Sequence, residues 1–187
     1  MNKAKLISSL FGYSLLVYLL FQASVHLYEP GRNFDLPGLL WFTHLMLLYI
    51  HEAGHFFFKF FGHAMYILGG SLFQVIVPAA WFFVAKREES SLANVALFFT
   101  GVSIVDVSIY VKDAGMLQLP LIGGLSKSHH DWANLANEFG FLDYSYAMGE
   151  VMFWCGIILS AAAIFLGVKH AITQYKEAPQ TPDYSSD

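Results

Sequence analysis

The sequence predicts an all-α integral membrane protein, built as a bundle of about five transmembrane helices. Of its 187 residues 56% are hydrophobic and 13% are charged, whereas a soluble domain averages about 25% charged residues. Five apolar segments each approach the roughly 20 residues that a helix needs to cross a bilayer. Helix is the expected spanning state, because an open sheet would leave backbone groups unpaired in lipid.

The predicted spans cover residues 6–27, 36–61, 67–85, 93–111 and 148–168. The first span is expected to remain as an anchor, since its apolar run is longer than the usual signal-peptide core of about 7–15 residues. The third span contains Gly69, Gly70 and Pro78, so it could also be a re-entrant or broken segment. Such a segment is tolerated only where protein or water covers it.

The rest of the chain is more polar. Residues 112–147 form a mixed loop, whose part 132–141 is predicted to be a short amphipathic helix at the membrane interface, before the last span. Residues 174–187 are polar and are predicted to be a disordered tail. One transmembrane domain, 1–173, therefore holds the candidate site, with a metal-binding core at about 36–113.

The charges in the sequence limit the kinds of binding partner to expect, but they do not show which end of each span faces the cytoplasm. The formal net charge is -4 and no basic block occurs, so the expected partner is the lipid bilayer and not nucleic acid. If all five spans cross, one side holds Lys3, Lys5, Lys59, Lys112 and Lys127, and the other holds Arg32, Lys86, Arg87, Lys169 and Lys176. The positive-inside rule then returns a tie.

The residues most suited to chemistry are His51-Glu52-Ala53-Gly54-His55, inside the second span. Histidines at i and i+4 leave one face of a helix, where a single ion can join them. Glu52, between them, is placed to act on water as a general base. Polar groups inside an apolar span are costly, and this favours a site for one zinc ion over a hydrogen-bonded packing motif.

A catalytic zinc site usually has three protein ligands, so a third is needed. The fourth span carries a polar stripe whose middle member is Asp106, at a depth that matches His51. Asp106 is therefore the preferred third ligand. The stripe as a whole is expected to face the bundle core, and it comprises Thr100, Ser103, Asp106, Tyr110 and Asp113.

Other polar residues offer alternatives or support. The long loop contains His129, His130 and Asp131, and His130 is the alternative third ligand, with Asp131 ranked behind both. Gln74 is expected to orient a ligand or hold a substrate backbone, or to make a structural hydrogen bond. His44, seven residues before His51, is expected to support the site rather than bind the metal.

With these residues, the chain resembles the site-2 protease class of intramembrane zinc metallopeptidases over its second to fourth spans. The resemblance rests on His51-Glu52-Ala53-Gly54-His55 and on Asp106 two spans later. It implies zinc inside the membrane near the cytoplasmic face, a cytoplasmic N-terminus in a bacterial-type inner or plasma membrane, and a transmembrane segment of another protein as substrate. The chain departs from the class where Asp106 is followed by Val107 and not by glycine.

The expected function is therefore that of a membrane-embedded zinc metallohydrolase, an intramembrane peptidase with Glu52 as the catalytic base. One alternative is a metal-binding membrane protein without peptidase activity that serves as a binding or assembly factor. A di-iron membrane hydroxylase ranks last. Such enzymes need several His-x-x-His-His boxes, and the sequence contains none.

Overall fold

The computed structural model describes residues 2–31 and 34–178, and in them the chain is all-α, as the sequence predicts. Six α-helices follow one another in this part of the chain: α1 (Lys3–His26), α2 (Gly38–Phe58), α3 (His63–Arg87), α4 (Ala93–Asp113), α5 (Asp131–Glu138) and α6 (Ser145–Glu177). Four short 3₁₀ turns lie between them.

Four helical segments in the described ranges are long and apolar enough to cross a membrane: Lys3–His26, His63–Arg87, Ala93–Asp113 and Leu142–Glu177. The predicted third span is one unbroken helix despite Pro78 in its interior. The predicted second span forms α2 but is not among the four. Its His44, His51, Glu52 and His55 lower its hydropathy, although it is 21 residues long.

The last helix is longer than predicted. α6 runs for 33 residues to Glu177, well past the predicted end of the fifth span at residue 168. At 1.5 Å per residue it measures roughly 50 Å, so it extends beyond a hydrocarbon core of about 30 Å. The first residues of the predicted tail are thus helical, and the remainder from Pro179 lies outside the described residues.

Helix α4 forms the centre of the bundle. Fifteen of its 21 residues are buried, and it packs most closely against α6. A Cβ atom on Gly156 of α6 would lie 2.6 Å from the carbonyl oxygen of Gly101 on α4. Gly156, Ser160, Ala163 and Gly167 of α6 are all buried, so these small residues form a close-packed face of the last helix.

The course of the chain places α1 and α2 in the same direction. Tyr28, just after α1, accepts a hydrogen bond at 2.8 Å through its backbone carbonyl from Lys112 Nζ, near the end of α4. The end of α2 lies at this same end of the bundle, because Asp131, after α4, contacts His51 and His55. Helix α2 therefore begins toward the end of the bundle opposite to that where α1 ends, and Leu36, just before α2, is buried.

This course corrects the predicted division of positive charge, which assumed that the first two spans run in opposite directions. Lys5 shares a cavity with Ser91 and His170, so the N-terminus lies at the end where α3 ends and α4 begins. We call this the N-terminal end and the opposite one the site end. The N-terminal end holds Lys3, Lys5, Lys86, Arg87, Lys169 and Lys176, and the site end holds Lys59, Lys112 and Lys127.

Lys112 joins three helices at the site end. Its ammonium group is 2.7 Å from Glu150 Oε2 of α6 and lies over the rings of Tyr28 and Phe153, at 4.3 and 4.7 Å from their centroids. The Lys112 side chain is fully buried, whereas that of Glu150 is 28% exposed. The ion pair and the rings together compensate the lysine for its lost hydration.

Replacing Lys112 by methionine should therefore destabilise the bundle. Breaking a fully buried ion pair costs about 3–5 kcal/mol, and the partial exposure of Glu150 should reduce this to about 2 kcal/mol. The expected result is a melting temperature several degrees lower in detergent. The matched control is Lys86→Met at the exposed N-terminal end, and equal melting of the two variants would contradict this role.

Candidate metal centre

The site begins with two imidazoles on one face of α2. His51 and His55 are one helical turn apart, and their ring centroids are 4.8 Å apart. Glu52 joins them in a group whose potential ligand atoms all lie within 4.8 Å of one another. This arrangement agrees with the face that the spacing predicts, and the group could hold a metal ion.

A close approach of α2 to α3 makes room for these rings. A Cβ atom on Gly70 would lie 2.5 Å from His51 Nε2, and one on Gly54 would lie 2.7 Å from Phe73 Cβ. Only a residue without a side chain fits at either position without a displacement. The two glycines thus allow α3 to lie directly against the histidine face of α2.

Each imidazole is oriented by an acceptor behind it. The backbone carbonyl oxygen of Tyr66 is 2.8 Å from His55 Nδ1, and Gln74 Oε1 is 3.1 Å from His51 Nδ1. Since both partners are acceptors, each Nδ1 carries the proton and donates it. Each Nε2 then presents a lone pair in the neutral ring, the state in which histidine binds a metal.

Asp131, the first residue of α5, closes the site. Its Oδ2 atom lies 2.9 Å from His51 Nε2 and 3.2 Å from His55 Nε2. Burial by itself would raise the pKa of Asp131, but hydrogen bonds to the two imidazoles, when these are protonated, outweigh it and hold the pKa below its ordinary value. An imidazole protonated at Nε2 therefore favours the ionised form of this carboxylate.

The position of Asp131 depends on its neighbours in the long loop. Trp132 Nε1 donates a hydrogen bond at 3.0 Å to Ser71 Oγ and so fastens α5 to α3. The preceding residue, His130, caps α5 by accepting at Nδ1 from the backbone N–H of Ala133. Its Nε2 lies 3.2 Å from Asp113 Oδ2 at the end of α4. These contacts hold the start of α5 over the histidines of α2.

Asp106, the preferred third ligand, and His130, the alternative, line the same cavity as the two histidines, but other partners hold their side chains. Asp106 is 3% exposed, and its oxygens lie 2.6 Å from His44 Nδ1 and 2.7 Å from Gln74 Nε2. His130 is engaged through both ring nitrogens, as described above. The stripe of α4 is buried as predicted, but the carboxylate in contact with both histidines is Asp131, which the sequence ranked lower.

A cavity of about 230 Å³ lies beside the three converging side chains. Its lining combines Glu52 and Tyr110 with apolar side chains from α2, α3, α4 and the long loop, among them Leu48, Ile67, Val107 and Leu121. The cavity is smaller than the roughly 300–1,000 Å³ of sites for drug-sized ligands.

Comparisons with models of known protein families, with curated proteins and with solved structures find no match for this chain. The site is therefore interpreted from its own geometry.

The close approach at Gly70 leads to a test that does not depend on a metal. Gly70→Ala should displace the His51 ring and destabilise the protein by about 1–3 kcal/mol, as overpacking does. Gly12→Ala is the control, because a Cβ atom there would meet nothing within 4 Å, and alanine in an open helical position stabilises slightly. Thermal unfolding of both variants measures this difference. Equal stability of Gly70→Ala and Gly12→Ala would contradict the close approach.

Proposed function

We propose that this chain is an integral membrane zinc metallohydrolase, an intramembrane peptidase whose metal ligands are His51, His55 and Asp131. The observation that carries the proposal is the convergence of two imidazole lone pairs on a carboxylate oxygen, at 2.9 and 3.2 Å. All three atoms are hydrogen-bond acceptors in the state that the surrounding contacts favour. Three acceptor atoms this close repel one another, and a cation between them would attract all three.

The distances and donor types suit zinc. Ligand atoms about 2.0–2.1 Å from a tetrahedral ion lie roughly 3.3 Å from one another, close to the separations at this site. Two histidines and one carboxylate also form a known type of catalytic zinc site, which leaves the fourth position open. When bound, zinc would polarise a substrate carbonyl group and make a water molecule a stronger nucleophile.

Glu52 is the proposed general base. It lines the cavity beside the ligands and belongs to the same cluster as both histidines, but Asp131 is the carboxylate in hydrogen-bond contact with them. Glu52 is therefore placed to take a proton from the attacking water and deliver it to the leaving amine. The small cavity restricts the substrate to an unwound part of a transmembrane segment.

We assign α2 as the fifth span. Its outward face exposes large apolar side chains suited to lipid, including Trp41, Phe42, Met46, Tyr49 and Phe57. Its three histidines, His44, His51 and His55, turn toward α4, α3 and α5, where they are paired. An apolar outside with polar groups inside is the arrangement expected of a membrane helix that carries a site.

The distribution of basic residues supports a cytoplasmic N-terminus. The N-terminal end carries six lysine and arginine residues among the described residues, against three at the site end, and cytoplasmic segments carry the excess. The metal centre then opens toward the opposite side of the membrane. This differs from the cytoplasmic zinc position that the resemblance to site-2 proteases implies.

Glu52→Gln tests the chemistry. A general base is not a ligand, so the variant should keep one zinc per chain but lose about 10²–10⁴-fold in the rate of cleavage of transmembrane peptides in proteoliposomes. Glu88→Gln, at the N-terminal end, is the control and should cleave like the wild type. Undiminished cleavage by Glu52→Gln would rule out this mechanism, and a wild-type protein without zinc would rule out the metal centre.

Cysteine labelling tests the orientation. In a Cys155→Ser background, Ser126→Cys at the site end should react with an impermeant maleimide added outside intact cells. Ser91→Cys, exposed at the N-terminal end, should react only after the membrane is opened. The opposite pattern would show that the metal centre faces the cytoplasm.

A further inference from the structure

A buried chain of polar side chains runs from the candidate metal ligand His51 into the centre of the bundle. Gln74 Oε1 is 3.1 Å from His51 Nδ1, and Gln74 Nε2 donates at 2.7 Å to Asp106 Oδ2. The other oxygen of Asp106 is 2.6 Å from His44 Nδ1. Three helices contribute to this chain: α2, α3 and α4.

The members of this chain are too well buried to be incidental surface contacts. Gln74 and Asp106 are 2% and 3% exposed, and the side chain of His44 is 11% exposed. A buried carboxylate is costly unless it is paired and hydrogen-bonded. Here both oxygens are used, and the short contact with His44 is typical of a charge-assisted hydrogen bond.

We propose that Gln74 and Asp106 are positioning residues that hold His51 in the tautomer that can bind a metal through Nε2, beside Asp131. An ionised carboxylate only accepts hydrogen bonds, so Asp106 must face the NH₂ group of Gln74. The amide oxygen of Gln74 is then forced toward His51. An oxygen at that point requires a proton on Nδ1, and His51 Nε2 is left with its lone pair directed at Asp131.

This inference rests on the proposed metal centre and extends it to residues that do not touch the metal. Without an ionised partner at position 106 the amide of Gln74 can rotate by half a turn. Its NH₂ group then faces His51 and favours the tautomer with the proton on Nε2, which cannot bind a metal through Nε2 on the side of Asp131. Loss of a contact behind a ligand typically weakens metal affinity about 10–100-fold.

The test exchanges the amide group of Gln74 and the carboxyl group of Asp106. Asp106→Asn should weaken zinc affinity about 10–100-fold, measured by competition with a chelator. The double variant Gln74→Glu/Asp106→Asn has the same shape and charge, but the carboxylate now lies next to His51 and the amide next to His44. It again offers His51 only an acceptor, so zinc affinity should return to within a few-fold of the wild type.

Matched controls separate positioning from general damage. Thr100 lies on the same helix as Asp106, and its buried hydroxyl donates to the Ala96 carbonyl oxygen at 2.9 Å. Thr100→Val removes this hydrogen bond, and zinc affinity should not change. Gln74→Leu also interrupts the series of hydrogen bonds between His51 and Asp106, so it should weaken zinc affinity as Asp106→Asn does. Thermal unfolding of each variant identifies those that do not fold, and only folded variants are compared.

Nitrogen NMR of histidine-labelled, metal-free protein provides a readout that is independent of zinc. The His51 ring should carry its proton on Nδ1 in the wild type and the double variant, and on Nε2 to a substantial extent in Asp106→Asn. This tautomer pattern in a protein that binds no zinc would support the positioning role and refute only the metal centre. An unchanged tautomer and zinc affinity in folded Asp106→Asn, or no recovery in a folded double variant, would overturn the inference.

Discussion

The convergence of His51 Nε2, His55 Nε2 and Asp131 Oδ2 is the constraint on which the rest of the site depends. Their separations of 2.9 and 3.2 Å bring three electron-rich atoms together where little water can separate them. Such a group is stable when a proton or a metal ion lies between the carboxylate and the imidazole nitrogens. The surrounding structure serves this arrangement: glycines allow α3 to approach, acceptors fix both imidazoles, and Trp132 fastens the helix that carries the carboxylate.

The same need to pair buried polar groups explains the organisation of the bundle. Polar side chains in a membrane helix are tolerated when they face the interior and find partners, and α4 carries most of them. Asp106 is paired with His44 and Gln74, while Asp113 accepts backbone N–H groups of Gln118 and Leu119 and meets His130. The second of these clusters ties the long loop to α4, and the loop in turn delivers Asp131.

Much of this arrangement could be predicted from local sequence. Hydropathy and length identified the helices, and the i, i+4 spacing placed His51 and His55 on one face because helical periodicity is a local property. The contact of Asp131 with both histidines was not predictable in this way. Depth matching favoured Asp106, but depth does not reveal which neighbour a side chain faces, and His44 and Gln74 occupy its carboxylate. Likewise, no local signal indicated that α1 and α2 run in the same direction, so the predicted division of basic residues was wrong.

The identity of the third ligand tests the account most directly. Purified wild-type protein, Asp131→Ala and Asp106→Ala would be loaded with zinc, washed and analysed for metal per chain. If His51, His55 and Asp131 are the ligands, Asp131→Ala will not retain stoichiometric zinc, whereas Asp106→Ala will still bind one ion at saturating zinc, with weaker affinity. Retention of zinc by Asp131→Ala together with its loss from Asp106→Ala would contradict the proposed centre and return the ligand to the middle of α4.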